Sequence, residues 1–355
     1  MLQPTGLLDR LVGHDRDFGR FVALIALATM VPMLFIPLSQ RVQHDAYSVL
    51  SIVGVLSFLG GPGHVSLTAW FYSDPVARPH FREHSIRYVW APLALIVGAT
   101  ATFALFEDRA PTRWLTLVFS VWLLWHYQRQ NWGIHSFVSR VSSGESATTA
   151  EQWIFRAAVI GGILGGTKTT GIGGGTFVGS NADMLATIGL GITLALPLAI
   201  VGCLITTPSL RTAPLRIAML LVGSCFFLPV FIFGDLASAF LTYALAHGLQ
   251  YMVFMGYVAG AAATEQKITG PSFADGDTRP GVATLVIWVG TLGVLLLITG
   301  DHAMLKSSRL MPLYGFGLGL TMAHFVIDAG IWRLRDKFPR QYIGAAFPFL
   351  QRPSR

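Results

Sequence analysis

Ten apolar runs, each bounded by polar or glycine- and proline-rich breaks, constrain this chain more than any other feature. They lie at 21–39, 47–71, 88–106, 114–137, 153–166, 184–205, 217–233, 236–262, 283–299 and 313–332. A helix needs about 20 apolar residues to cross the hydrocarbon core of a bilayer. The pattern predicts an all-α fold: a polytopic integral membrane helical bundle with about ten transmembrane helices, forming one transmembrane domain over residues 1–355. The fifth run is the weakest. It is short, carries Arg156, and leads into TKTTGIGGGTFVGSN (167–181), which reads as a re-entrant segment or an outer loop. The long polar linkers are 138–152 and 263–282. No internal repeat stands out.

Composition excludes the other classes. Apolar residues make up 53%, 38 glycines add to them, and charged residues are only 12%, about half of what a soluble domain carries. A soluble fold could not bury that much apolar surface, and a disordered chain would not contain it. The net charge of +7 raises nucleic acid as a partner. However, no Lys/Arg run interleaved with aromatics occurs, and cytoplasmic loops of membrane proteins collect basic residues. With the N-terminus inside, the inner segments carry 17 Lys/Arg and the outer segments 6. Both termini are therefore expected in the cytoplasm of a bacterial-type inner or plasma membrane. The polar N-terminal stretch lacks a cleavage pattern, and the first run is expected to be an uncleaved span. Cys203 and Cys225 both sit in apolar runs and read as packing residues without a disulfide.

Ionisable side chains inside apolar runs are costly and point to function. His64, His126, His247 and His324 fall in the second, fourth, eighth and tenth runs. The topology places the last three near mid-depth and His64 closer to the cytoplasm. Neutral imidazole is the commonest transition-metal ligand, and four at similar depth are expected to converge on a metal. GGPGH breaks its span just before His64. In WHYQRQNWGIH, Gln130 shares the face of His126, whereas His135 lies about 180° around the helix and is expected, with Asn131, to hold an interface or a headgroup-level contact. Trp122, Trp125 and Trp132 are candidates for a substrate slot or for packing. Tyr243, Gln250 and Tyr251 share the face of His247. Asp328 follows His324 by one turn, as ligand or as its hydrogen-bonded support. The predicted site therefore has His64, His126, His247 and His324 as metal ligands, with Asp328, Tyr251 and Gln130 assisting the chemistry. HFREH (80–84) reads as a solvated loop segment, with Asp74 nearby.

GGTKTTG lacks the order of a phosphate-binding loop, and GIGGGT breaks the dinucleotide fingerprint. HFREH matches the first HxxxH box of the membrane desaturases and hydroxylases. The chain resembles that group in this box and in its intramembrane histidines, although no HxxHH box follows. It also resembles, in architecture, the membrane carotene dioxygenases of the Brp/Blh type. These resemblances imply a non-haem iron oxygenase or desaturase acting on a lipid or isoprenoid substrate, served by an electron-donor protein. Haem or copper are the alternative cofactors. The alternative functions are a bis-His haem b protein and a transporter with a histidine-lined pathway.

Overall fold

The computed structural model describes residues 16–41, 55, 58–107, 109–170, 180–233, 236–269, 280–300 and 310–350. Every regular element among the described residues is helical. In chain order the labelled helices are α1 (Arg16–Arg41), α2 (Arg78–Glu83), α3 (Ala91–Phe106), α4 (Ala110–Ser143), α5 (Thr149–Thr170), α6 (Ala182–Thr206), α7 (Pro214–Ser224), α8 (Leu236–Thr269), α9 (Met311–Ile331) and α10 (Lys337–Gly344).

Four stretches are long and apolar enough to cross a membrane: Asp17–Leu34, Ile86–Phe106, Ala182–Thr206 and Met311–Ile331. They match the first, third, sixth and tenth runs. The remaining runs miss the length or the apolarity for identifiable reasons. α4 and α8 are 34 residues each, longer than a bilayer requires, but both are interrupted by amides and histidines. α5 carries Glu151, Arg156 and Lys168. The seventh run breaks after α7 and resumes at Pro229–Ile232. The ninth is split by a π-helical turn at Val289–Gly293. Part of the second run, the glycine-rich 171–179, residues 270–279 of the 263–282 linker and the terminal stretches 1–15 and 351–355 lie outside the described residues.

The chain groups into two compact units. The first comprises residues 1–45, 121–250 and 352–355, and the second 46–120 and 251–351. The divisions fall within α4 and α8.

In the first unit α5 and α6 pack along their length. Their approach depends on Gly189, because a Cβ there would lie 2.6 Å from the Gly161 carbonyl oxygen. Ile154, Phe155 and Ala158 of α5 bury against Leu196, Ile200 and Cys203 of α6, with Leu210 and Leu220 closing the cluster. Cys203 is thus a packing residue, and both cysteines are free thiols. α5 begins with a capping box: Glu151 N–H donates to Thr148 Oγ1 at 3.3 Å, and Thr148 N–H donates back to Glu151 Oε2 at 2.6 Å.

In the second unit α3 and α9 form the corresponding close pair. A Cβ at Gly319 would lie 2.6 Å from Ile96 Cα, so the small-residue spacing Gly315–Gly319 lets the two backbones touch. Around this pair sit the π-helical turn Leu59–Gly63, the helical turn His64–Leu67, α2 and α10. Pro62 lies inside the π turn, and His64 follows at its end. The break expected before His64 is therefore a π bulge, a device that re-aims the side chain beyond it.

Candidate metal centre

The four histidines appear as two pairs, one within each unit.

In the first unit, His126 of α4 meets His247 of α8 edge to face, with ring centroids 4.9 Å apart. Tyr127 stacks obliquely on His247 at 4.3 Å, and His247 is fully buried. Below this pair runs a chain of amides. Gln130 Nε2 donates to the His247 carbonyl at 3.1 Å and to Gln250 Oε1 at 2.8 Å. Gln250 Nε2 donates to Thr29 Oγ1 at 2.7 Å and to Asn131 Oδ1 at 3.1 Å. Asn131 Nδ2 donates to Gln128 Oε1 at 3.1 Å, and Gln128 Nε2 reaches the carbonyls of Phe155 and Gly223 at 2.9 and 3.2 Å. Gln130, expected to support His126, instead ties α4 to the backbone of α8 and so fixes the segment that carries His247.

His135 holds a helix interface, but without Asn131. Its Nε2 lies 3.0 Å from Glu151 Oε1, while Asn131 belongs to the amide chain. Arg216 grips Glu151 in a two-pronged contact, Nε to Oε1 at 2.9 Å and Nη2 to Oε2 at 2.6 Å. All three side chains are fully buried. Burial alone would raise the Glu151 carboxyl. The bonds from His135, Arg216 and the Thr148 backbone outweigh it and hold the group well below its ordinary range. Arg156 sits over the Trp153 ring at 4.6 Å. Trp125 and Trp132 flank a surface groove together with Arg129 and Arg156.

In the second unit, the ring centroids of His64 and His324 are 5.1 Å apart at 78°, and a ring nitrogen of each lies within 4.8 Å of the other. Both residues are 2% exposed. Thr68 joins the polar groups around them. Its Oγ1 lies 2.6 Å from His324 Nδ1, 3.0 Å from the Tyr251 hydroxyl and 3.3 Å from Asp328 Oδ1. Tyr251 donates its O–H to Asp328 Oδ1 at 3.0 Å. The second carboxylate oxygen, Oδ2, faces His324 Nε2 at 3.5 Å. Tyr251 and Asp328, both expected at the site, are therefore built into it, but Thr68 escaped the sequence reading. A hydroxyl on a helix ordinarily bonds its own backbone, so nothing local distinguishes this threonine.

Asp74 is committed elsewhere: it accepts from the Tyr342 hydroxyl at 2.5 Å and from Val76 N–H at 3.0 Å. HFREH forms α2 and its C-terminal cap rather than an irregular loop.

The chemistry open to the second unit follows from its donors. Two imidazoles and one carboxylate are the donor types of the facial triad that holds ferrous iron with positions left over. In one tautomer His324 donates Nδ1–H to Thr68 Oγ1, and Thr68 donates on to Asp328 Oδ1. The Nε2 lone pair then faces Asp328 Oδ2. At 3.5 Å these two atoms are too far apart for a good hydrogen bond. Two donors at about 2.1 Å from one ion stand about 3.0 Å apart at the right angle of a facial triad and about 3.4 Å apart at a tetrahedral angle. The spacing thus suits a shared cation, and the residues fit a bound metal. No family model, curated protein or solved structure matches the chain.

Proposed function

We propose that this chain is a membrane-embedded, non-haem iron oxidoreductase, an oxygenase or desaturase acting on a lipid or isoprenoid. The separation of His324 Nε2 from Asp328 Oδ2, 3.5 Å with His64 alongside, carries the reading. His324 and Asp328 are ligands, His64 is the imidazole beside His324, and His126 with His247 form a second imidazole set in the first unit. Iron held by two histidines and a carboxylate supplies O₂-dependent oxidation. The chain's own residues orient the ligands. Thr68 holds the His324 tautomer, Tyr251 fixes the Asp328 carboxylate, and burial of all four side chains excludes bulk water. Ring centroids near 5 Å disfavour a haem between the two histidines. Opposed axial imidazoles would place their centroids at roughly twice the sum of a 2.0–2.1 Å bond and the ring radius, about 6 Å.

The membrane reading extends to ten spans with both termini inside, in an inner or plasma membrane. It is supported by the 17-to-6 distribution of Lys/Arg. It also fits the meeting of Ser143, Glu151 and Arg216, which brings the 138–152 and 206–216 segments to one end of the first unit. A buried iron site with this placing suits an apolar substrate and an external electron donor.

The test is iron per chain and substrate-dependent O₂ uptake, measured on the purified protein in detergent with lipid and isoprenoid extracts. His324→Ala should lose iron while keeping its helical signal. Thr68→Val should retain iron with affinity lowered about 10–100-fold, as for groups that orient a ligand. Full iron content in His324→Ala would overturn the proposal.

A further inference from the structure

HFREH offers a second, independent donor set. The resemblance to desaturases would fold this segment into the iron centre, but the structure gives it a group of its own. Residues 80, 83 and 84 share one face of a helical turn. One donor atom from each of His80, Glu83 and His84 lies within 4.8 Å of the others. The two imidazole centroids are 4.3 Å apart, inclined at 38°.

The rings are held in place before any ion arrives. His80 stacks on Phe338 of α10 at 4.1 Å and 11°. His84 Nδ1 lies 3.1 Å from the His80 carbonyl oxygen. A carbonyl only accepts, so this contact requires Nδ1–H on His84 and leaves the Nε2 lone pair for a metal. Metal-binding histidines use this arrangement to fix tautomer and aim. The trio opens onto a cavity of about 330 Å³, lined also by Arg87, Asp336 and Lys337. Glu83 and His84 are exposed and His80 is half-buried, so ions reach the trio from water.

We infer that His80, Glu83 and His84 form a surface site for a first-row divalent cation of the zinc type, its fourth position facing the cavity. Two histidines and one glutamate are a known three-ligand zinc set that leaves one position open. Arg87 and Lys337 on the rim would favour an anion or hydroxide over a neutral ligand there. The site is distinct in donors from the proposed iron set, and its test does not require that reading.

The full chain in detergent is titrated with ZnCl₂ at pH 7.5 by calorimetry, with helicity followed by circular dichroism. Wild type should bind Zn²⁺. His80→Ala/His84→Ala should lose more than about 100-fold in affinity for one ion per chain, beyond the cost of losing an orienting group. Glu83→Gln should weaken binding without abolishing it, and His324→Ala should retain the site. Unchanged Zn²⁺ affinity and stoichiometry in the double variant, with helicity intact, would overturn the assignment. So would a wild-type protein that binds no Zn²⁺, or loss of this ion in His324→Ala with the double variant unaffected.

Discussion

Replacing Arg216 with Met tests the buried ion network of the first unit. The substitution removes two bonds to Glu151, one to Ser143 Oγ at 3.1 Å and the longer ones to Ser209 Oγ and the Ser146 carbonyl. Breaking a buried ion pair from one side costs about 3–5 kcal/mol, because a charge is left behind. Here Glu151 keeps Thr148 N–H at 2.6 Å, Thr148 Oγ1 at 2.9 Å and His135 Nε2 at 3.0 Å. The loss should therefore sit near the low end, about 3 kcal/mol. Glu151→Met should cost more, about 5 kcal/mol, because the guanidinium is left with only the Ser143 and Ser209 hydroxyls and the Ser146 carbonyl, the last two at 3.4 and 3.5 Å. The double replacement by Met should cost less than the sum of the singles by about 2 kcal/mol or more, since neither charge is then orphaned. Acid adds a second check. A carboxyl depressed in the folded state stabilises the fold above its unfolded pKa. That stabilisation is lost as pH falls from about 4.5 towards the folded value. Wild type should therefore weaken below pH 4.5 more steeply than the Glu151→Met/Arg216→Met variant. Equilibrium unfolding in mild detergent, read by circular dichroism, measures all three variants. Single substitutions costing under about 1 kcal/mol, or strictly additive ones, would show that the network is not a coupled buried ion pair.

Two further substitutions probe packing and polar satisfaction. Gly319→Leu should separate α3 from α9 and cost about 3 kcal/mol, because its Cβ meets backbone at 2.6 Å and cannot be relieved by a rotamer change. The same unfolding assay reads it, and a neutral result would refute the close crossing. Gln250→Leu removes the hub of the amide chain and leaves groups on Gln130 and Asn131 without their partner. Thr29 keeps its bond to the Ile25 carbonyl at 2.8 Å. Two orphaned groups at about 1–3 kcal/mol each predict a loss of about 2–6 kcal/mol, whereas an unaltered stability would show that water replaces the amide.

How far the sequence revealed this molecule depended on how local each signal was. The helical class and four of the spans are visible in single runs, because hydropathy over about 20 residues is a local property. The long α4 and α8 were visible as helices, but their polar residues reflect tertiary partners that no run exposes. Gln250 was noticed only as a neighbour of His247 on one face. Its role appears once Thr29, 221 residues away, and Asn131, 119 away, are brought to it. The T-x-x-E box at Thr148–Glu151 starts a helix, though the hydropathy reading left both residues in the 138–152 linker. That Glu151 would also anchor Arg216, 65 residues on, was not visible either.

The histidines were legible because an imidazole in an apolar run has few harmless explanations. The residue that organises them in the second unit was not, and the reason is chemical. Threonine is unremarkable in a membrane helix, where its hydroxyl can return to the carbonyl one turn back, as Thr29 does to Ile25. Thr68 takes partners 183, 256 and 260 residues distant instead. Its hydroxyl couples the His324 ring to the Asp328 carboxylate, so the tautomer of one depends on the charge of the other. Asp328 ionised accepts from Thr68, which then accepts from His324 Nδ1–H and leaves Nε2 facing Oδ2. Protonation of Asp328 on Oδ1 would turn that acceptor into a donor and release the lock on the ring. For the proposed cation, Thr68 would make binding depend on both groups at once, as a positioning residue and not as a ligand.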